Sequence, residues 1–324
     1  MNLIQISINK NETGDFMAMT SDRMDRFKGC LAGLAVGDAL GTTVEFSPPG
    51  SFPPVTDLVG GGVFQLQPGQ WTDDTSMALC LAESLLEQEG FDPVDQMARY
   101  LKWMREGDLS STGVCFDIGN ATREALLRFE RTGEGYCGSE DPYAAGNGSI
   151  MRLAPVPMYY VEEPQKAIDY AARSSRTTHA AAECVDACKL FAAFLVGALK
   201  GRTKDELMDP AAFDEWLGRA PLVPKIEEIR RGSFLSKEPP EIQGSGYVVQ
   251  SLEAALWAFA KSSSFREGAL RAVNLGDDAD TTGAVYGQLA GAFYGYEAIP
   301  ETWRCKLAMH ETIEQLAGRL GSKK

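Results

Sequence analysis

Apolar residues recur at three- and four-residue intervals along much of the chain, which is the spacing of helices with one buried face. Near the N-terminus this stripe consists of Met24, Phe27, Leu31, Leu34 and Ala35. Alternating segments of Val, Ile and Thr bounded by turns, which are typical of strands, are scarce. The pattern therefore predicts an all-α fold, with one compact multi-helix globular domain rather than a simple bundle.

Several of these helices have residues at their N-terminal ends that are typical of helix starts. Asp92-Pro93 has the order of an N-cap and a first helical residue. Ser264 and Glu267 have the spacing of a capping box. Together with the periodicity, these signals predict helices over residues 75–88, 93–105, 117–131, 163–174, 178–200, 247–260, 264–274, 281–294 and 302–320.

Domain organisation follows from the polar stretches between these helices. Segments 47–70, 133–146 and 230–246 are rich in polar residues, Gly and Pro and are predicted to be loops. None of them has the compositional break that marks a domain linker. We therefore expect a single globular domain over residues 21–324. Residues 1–20 are polar and are expected to form an N-terminal arm outside the core.

Composition and charge exclude several classes of protein. Of the 324 residues, 44% are hydrophobic and 23% are charged, as in an ordinary globular protein. The net charge of -14 disfavours a nucleic-acid groove, and two histidines are too few for a His-rich zinc site. The longest apolar run covers ten residues, whereas a bilayer span needs about 20. Seven cysteines without a CxxC motif indicate reduced thiols. We expect a soluble, cytoplasmic protein with no membrane or nucleic-acid partner.

Two short acidic segments precede helical patterns, WTDDT at 71–75 and GDDADTT at 276–282. Carboxylates and hydroxyls are the ligands that hard divalent cations prefer, and cations would remove the repulsion between clustered carboxylates. The alternative is that these residues are ordinary helix N-caps. A helix needs one such cap and each segment supplies several, which favours metal binding. Spacing alone leaves open whether the two segments meet.

Further segments accompany these two in a fixed order. They are GCLAG (29–33), GDALG (37–41), Glu45, TDD (72–74), TGVCFDIGN (112–120), GNGSIMR (146–152), Thr178-His179, Gly246-Tyr247 and the acidic residues 278–281. In this order the chain resembles the ADP-ribosylglycohydrolase family, and more closely its dinitrogenase-reductase-activating type, which removes ADP-ribose from arginine. The resemblance covers residues 29–295. It does not account for residues 1–20, the loop 53–68 or the segment 200–245.

The resemblance implies an all-α fold with a cleft that holds a dinuclear Mg²⁺ or Mn²⁺ centre. The metal ligands that it implies are Thr72, Asp73, Asp74, Asp278, Asp280 and Thr281. The catalytic residues that it implies are Glu45, near the metals and the scissile bond, and Asp117, an acid–base residue. The residues that it places along the ADP-ribose cleft are Asn120, Gly146, Asn147, Gly148, Ser149, His179 and Tyr247.

Most of these residues also have a purely structural interpretation. Glu45 lies beside two prolines and could be a solvated loop charge, and Asp117 could cap the helix predicted to begin there. Residues 146–149 could hold a diphosphate at a helix N-terminus or form a plain turn. His179 is interpreted as a ligand contact and not as a metal ligand.

Two further residues keep two interpretations each. Tyr247 could stack on adenine or simply pack against its neighbours. Arg152 could reach a phosphate or pair with a carboxylate.

The resulting hypothesis is a hydrolase that cleaves the N-glycosidic bond between ADP-ribose and arginine on a modified protein. Its partner would be an arginine-ADP-ribosylated protein substrate. Another linkage, to serine, thymidine or free guanidine, is a second hypothesis. A third is an immunity protein that binds and blocks an ADP-ribosyltransferase toxin, with residues 1–20 as the contact. A catalytically dead ADP-ribose sensor is disfavoured by the intact ligand set.

Overall fold

Helices form the regular structure of the protein, as the hydrophobic pattern predicts. The computed structural model describes the backbone of residues 10–218 and 220–323 and the side chains of residues 21–218 and 220–323. In these ranges the β-type pairs are three isolated bridges, Gly61 to Leu66, Ser139 to His179 and Gly146 to Tyr247. The prediction of an all-α fold is confirmed.

Sixteen α-helices and one 3₁₀ turn (Pro142–Ala144) follow one another in the described residues. The helices are α1 (Lys10–Gly41), α2 (Asp73–Glu87), α3 (Pro93–Glu106), α4 (Asn120–Thr132), α5 (Pro155–Tyr159), α6 (Pro164–Arg176), α7 (Ala182–Leu199), α8 (Lys204–Met208), α9 (Asp214–Leu217), α10 (Pro224–Arg230), α11 (Ser233–Ser236), α12 (Val248–Ala260), α13 (Phe265–Val273), α14 (Ala279–Tyr294), α15 (Glu301–Arg304) and α16 (His310–Gly321).

The pair of α1 and α14 lies at the centre of the fold, and glycines set its spacing. They recur at every fourth position on both helices, at 29, 33, 37 and 41 and at 283, 287 and 291. A Cβ atom on Gly37 would lie 1.9 Å from the carbonyl oxygen of Gly283, an approach that only a residue without a side chain permits. Because the helices are antiparallel, the last residue of α1, Gly41, meets the first residue of α14, Ala279.

The remaining helices surround this pair. Helices α2, α7, α12, α13 and α16 pack against α1, α14 or both. Helix α7 is apolar almost all round and nearly every one of its residues is buried, as predicted for a central helix. Its start was predicted at 178, but it begins at Ala182. The backbone N–H of His179 donates to the carbonyl of Ser175, so His179 belongs to the turn after α6.

Two further predicted helices have wrong bounds, and backbone conformation explains both. The helix predicted over 117–131 begins at Asn120, because Asp117 has a left-handed φ of 58°. The helix predicted over 302–320 is divided into α15 and α16. Met309, at the start of α16, also has a left-handed φ, of 52°. Short helical turns also occur inside predicted loops, at Pro142–Ala144 and at α11.

Only part of the predicted N-terminal arm lies within the described residues. Residues 1–9 lie outside the described residues, and residues 10–20 belong to the backbone of α1. Within the described part of the chain, no helix combines the length and the apolar character that a bilayer crossing requires.

Candidate active site

The two acidic segments meet, although they lie 208 positions apart in the sequence. Thr72 Oγ1 lies 3.1 Å from Asp280 Oδ2, and Thr281 Oγ1 donates to Asp74 Oδ1 at 3.4 Å. The segments form the starts of α2 and α14, whose N-terminal ends carry partial positive charge. Among the described residues, neither Thr72 nor Asp278 caps its helix with its side chain. Capping therefore does not explain these N-cap residues.

Asp38 of α1 anchors the first of these acidic segments to α1. Its buried carboxylate accepts four hydrogen bonds, from the backbone N and Oγ1 of Thr72 at 2.8 and 2.9 Å and from those of Thr75 at 3.1 and 2.6 Å. Asp38 is not among the predicted site residues. The available signal was an acidic residue inside an otherwise small and apolar helical stretch, because a buried carboxylate needs partners.

Glu45 and Asp117 complete the acidic cluster. One carboxylate oxygen from each of Glu45, Asp117 and Asp280 lies within 4.8 Å of the other two. Glu45 follows the end of α1 and is buried, so it is not a solvated loop charge. Asp117 precedes α4 by three residues and is not its N-cap, which is Gly119.

Burial and mutual repulsion shift the proton affinity of these carboxyl groups. Burial, followed by the charge of Asp117, raises the pKa of Glu45 to about 10. Burial, followed by the charge of Asp38, raises the pKa of Asp117 to about 7. Burial is also the main reason why the pKa values of Asp73 and Asp280 lie well above the usual range. A protein with this cluster needs protons or cations to neutralise it.

The residues present fit a divalent cation. In the described part of the chain, three carboxylate oxygens of the cluster are buried without a hydrogen-bond partner: Glu45 Oε2, Asp74 Oδ2 and Asp280 Oδ1. Buried polar atoms are normally paired, so these three oxygens are open to a proton or a cation. The donors are carboxylates and hydroxyls, which suit Mg²⁺ or Mn²⁺ better than softer metals.

A cleft of about 700 Å³ opens beside this cluster. Most of the predicted site residues line it, namely Glu45, Asp73, Asp117, Asn120, Gly146, Asn147, Gly148, His179, Asp278, Asp280 and Thr281. The structure thus brings these distant segments to one cavity. Asn147 Nδ2 donates to the carboxylate of Asp278, which links the glycine-rich loop to the start of α14.

Four predicted site residues lie outside the lining of the cleft. Thr72 and Asp74 are buried behind it, within reach of Asp280 and Thr281. The other two engage other side chains. Ser149 is buried and accepts a hydrogen bond from Ser175 Oγ at 2.9 Å, and the Tyr247 hydroxyl donates to Glu183 at 2.6 Å and accepts from Lys225 at 2.7 Å.

His179 is held by a short relay of side chains. Arg152 is fully buried and donates to Thr178 Oγ1 at 2.7 Å, and Thr178 Oγ1 lies 2.8 Å from Nδ1 of His179. Arg152 can only donate, so we assign the Thr178 hydroxyl proton to Nδ1 and the ring proton to Nε2. Burial, followed by the charge of Arg152, lowers the pKa of His179 to about 3, so the ring is neutral. Among the described residues, Arg152 pairs with no carboxylate.

The helix N-terminus at the cleft differs from the predicted one. Residues 146–149 lead into turns, and the next helix, α5, begins only at Pro155. The first turn of α4 lines the cleft instead, with Gly119 at its N-cap position. Glycine has no side chain to occupy the free N–H groups of that turn. A Cβ on Gly148 would lie 2.7 Å from His179 Cε1, so the loop needs glycine there.

A buried acidic cluster at the edge of such a cleft is suited to hold a divalent cation next to a bound ligand. The chain belongs to the ADP-ribosylglycohydrolase family, whose model matches residues 19–324, and it is therefore a glycohydrolase enzyme.

Individual relatives agree with this assignment. The chain is 46% identical to ADP-ribosylarginine hydrolase Tri1 of Pseudomonas putida (strain GB-1), over 92% of this chain and 78% of that protein. It is 32% identical to the ADP-ribosyl-[dinitrogen reductase] glycohydrolase of Rhodospirillum rubrum, over 88% and 91%. A solved structure titled ADP-ribosylglycohydrolase-related protein complex matches with a TM-score of 0.82 and 49% identity, covering 93% of this chain and 98% of that one.

Proposed function

We propose that the enzyme removes ADP-ribose from arginine residues of modified proteins by hydrolysing the N-glycosidic bond. The observation that carries the proposal is the meeting of Asp73-Asp74 and Asp278–Asp280 with Glu45 and Asp117 at one cleft. The arginine linkage is supported by the name of the Pseudomonas putida relative, an ADP-ribosylarginine hydrolase. The substrate partner would be an arginine-ADP-ribosylated protein.

Two divalent cations, Mg²⁺ or Mn²⁺, are proposed as the cofactors. The residues that would hold them are Thr72, Asp73, Asp74, Asp278, Asp280 and Thr281. When bound, such cations supply Lewis acidity towards water and ribose hydroxyl oxygens. The orphaned oxygens of Asp74 and Asp280 support this assignment, because a cation would give them a partner.

Two side chains of the cleft are assigned the proton transfers of the reaction. With cations neutralising the cluster, Glu45 would be ionised and would accept a proton from the water that attacks the anomeric carbon, while Asp117 would donate a proton to the departing guanidine. Their oxygens lie within 4.8 Å of each other, so one proton can pass from water to guanidine through this pair. The carboxylates around them stabilise positive charge that develops on the ribose.

The other end of the substrate would lie along α4 and the glycine-rich loop. A diphosphate suits the free N–H groups in the first turn of α4, at the positive end of that helix. Nε2 of His179, protonated in our assignment, supplies a further donor beside Gly146 and Gly148. These neutral donors allow a protein of net charge -14 to bind an anion locally.

A cytoplasmic location is proposed on the state of the cysteines. All seven are free thiols in the structure, including the close pair Cys184 and Cys188 on α7. Unpaired thiols suit a reducing compartment.

The test is release of ADP-ribose from an arginine-ADP-ribosylated protein, measured with EDTA, with EDTA followed by excess Mg²⁺ or Mn²⁺, and with the double variant Asp73→Asn/Asp280→Asn. We expect release only in the metal-supplied wild type. Serine- and thymidine-linked substrates serve as comparators for the linkage. Faster release from either of them than from arginine would refute the assignment to arginine, and full activity in EDTA would refute the role of the cations.

A further inference from the structure

Three phenylalanines line the cleft beside the acidic cluster and have no role in the steps described above. We call Phe46, Phe64 and Phe116 the aromatic wall. Phe46 follows Glu45 in the chain and Phe116 precedes Asp117, and all four residues line the cleft. The rings of Phe64 and Phe116 meet edge to face, with their centroids 5.1 Å apart.

The backbone keeps Phe46 at the cleft in an unfavourable conformation. Its φ of 60° is left-handed, which is uncommon for a bulky residue, and 62% of its surface is exposed. Two backbone hydrogen bonds hold it there: Phe46 N donates to Asp277 O at 2.7 Å, and Asp277 N donates to Ser47 O at 2.8 Å. Strained conformations that the surroundings enforce are concentrated at functional sites. An exposed, strained phenylalanine at the cleft does not serve core packing.

Phe64 is placed by a tight turn inside the loop 53–68, the segment that the family pattern leaves unexplained. Reciprocal backbone hydrogen bonds between Gly61 and Leu66, of 2.8 and 2.9 Å, close the turn. A Cβ on Gly62 would lie 2.0 Å from the carbonyl oxygen of Thr42, so the turn sits directly on the residues after α1. This contact fixes Phe64 relative to Glu45.

We propose that the aromatic wall binds the guanidinium group and aliphatic stem of the modified arginine and so selects this leaving group. This proposal rests on the proposed function. A guanidinium is planar and cationic, and it stacks favourably on aromatic faces when carboxylates are nearby. The wall lines the same cleft as Glu45 and Asp117, which the proposed function places at the bond to the leaving group. A serine or thymidine leaving group has no cation to place against the rings.

The test compares Phe64→Leu and Phe116→Leu with the wild type. Leucine keeps an apolar side chain but removes the π face. We expect kcat/KM for an ADP-ribosylarginine substrate to fall about 3- to 30-fold in each variant, the effect of one cation–π contact. Binding of free ADP-ribose, which lacks the leaving group, should stay within about twofold by calorimetry. Phe64→Tyr keeps the π face and should retain most of the activity.

A matched control is Val63→Ala, in the same turn but outside the lining of the cleft, which should leave both quantities unchanged. Leucine variants with wild-type kcat/KM would overturn the proposal, and so would a loss of ADP-ribose binding as large as the loss of kcat/KM. The activity of the wild-type enzyme distinguishes a failure of the proposed function from a failure of the aromatic-wall proposal. A wild type that releases no ADP-ribose from arginine refutes the proposed function, whereas an active wild type with equally active leucine variants refutes the aromatic wall alone.

Discussion

Replacing Gly37 by alanine tests whether the close contact of α1 and α14 holds the acidic site together. The added Cβ would lie 1.9 Å from the carbonyl oxygen of Gly283, whereas ordinary van der Waals contact begins near 3.4 Å. The helices would have to separate by about 1.5 Å, the difference between these distances. Asp38 is the next residue, and its hydrogen bonds of 2.6–3.1 Å to Thr72 and Thr75 cannot survive such a shift unchanged.

The expected change in the free energy of unfolding has three contributions. Overpacking costs about 1–3 kcal/mol. A buried carboxylate that loses partners costs about 1–3 kcal/mol more. Alanine returns about 0.5–1 kcal/mol through its higher helix propensity. We therefore expect Gly37→Ala to lower the free energy of unfolding by about 1–5 kcal/mol. Because the acidic residues would move by about 1 Å, we also expect release of ADP-ribose to slow by about 100-fold.

Urea unfolding and a release assay measure both effects, and Gly318→Ala of α16 is the matched control. An added Cβ at Gly318 meets nothing within 4 Å among the described residues, so this variant should be about 0.5–1 kcal/mol more stable and fully active. Equal stability and equal activity in the two alanine variants would show that the glycine contact does not organise the site.

Three further predictions concern the charges and the relay at the cleft. Burial raises the pKa of Asp38 to about 6 and that of Asp117 to about 7. The native state therefore binds protons more tightly than the unfolded chain, and in EDTA the urea midpoint should fall as pH rises from about 4 through 7; a rising midpoint contradicts this. Glu45→Gln removes a carboxyl group whose burial disfavours its charged form, so the urea midpoint of this variant at pH 8 in EDTA should be higher than that of the wild type. The same variant should release ADP-ribose at least about 100-fold more slowly. Retained activity would exclude Glu45 as the proton acceptor. Thr178→Val removes the hydrogen-bond partner of His179 Nδ1 and should raise KM by about tenfold with little change in kcat, whereas an unchanged KM would show that the relay does not orient His179.

Local signals in the sequence predicted helix ends well where side chains cap them. Asp92 accepts from the backbone N–H groups of Val94 and Asp95 at 2.8 and 3.0 Å, and α3 begins at Pro93 as expected. Ser264 likewise accepts from the N–H of Glu267, at 3.2 Å. Such bonds join residues two or three positions apart, so they are readable from the order of residues alone.

Left-handed residues were not predictable in the same way. Asp117 looked like a helix start because Asp is a common N-cap, but its φ of 58° places it in the loop before α4. The interruption before α16 depends on distant residues: Ala308 N donates to Gly69 O at 2.9 Å, and Trp71 Nε1 donates to Ala308 O at 3.2 Å. Contacts between residues so far apart in the sequence produce no periodic pattern from which they could be predicted.

In the candidate site too, some features could be predicted from the sequence and others only from the fold. The residue types of the acidic segments indicated metal chemistry, but spacing could not show that they meet across 208 positions. The glycines at every fourth position of α1 and α14 were a visible signal of close helix contact, and their pairing was identifiable only in the fold. The turn that carries Phe64 had no recognisable pattern, because its position depends on Gly62 resting against Thr42.

A metal titration of the stripped enzyme tests the central claim most directly. Protein freed of metal with EDTA and exchanged into metal-free buffer is titrated with Mn²⁺, while bound Mn²⁺ and release of ADP-ribose from arginine-ADP-ribosylated protein are measured in the same samples. We predict that activity returns as Mn²⁺ binds and reaches its maximum at two ions per chain, and that Asp73→Asn/Asp280→Asn neither binds both ions nor recovers activity. Full activity in protein with no bound metal would contradict the account.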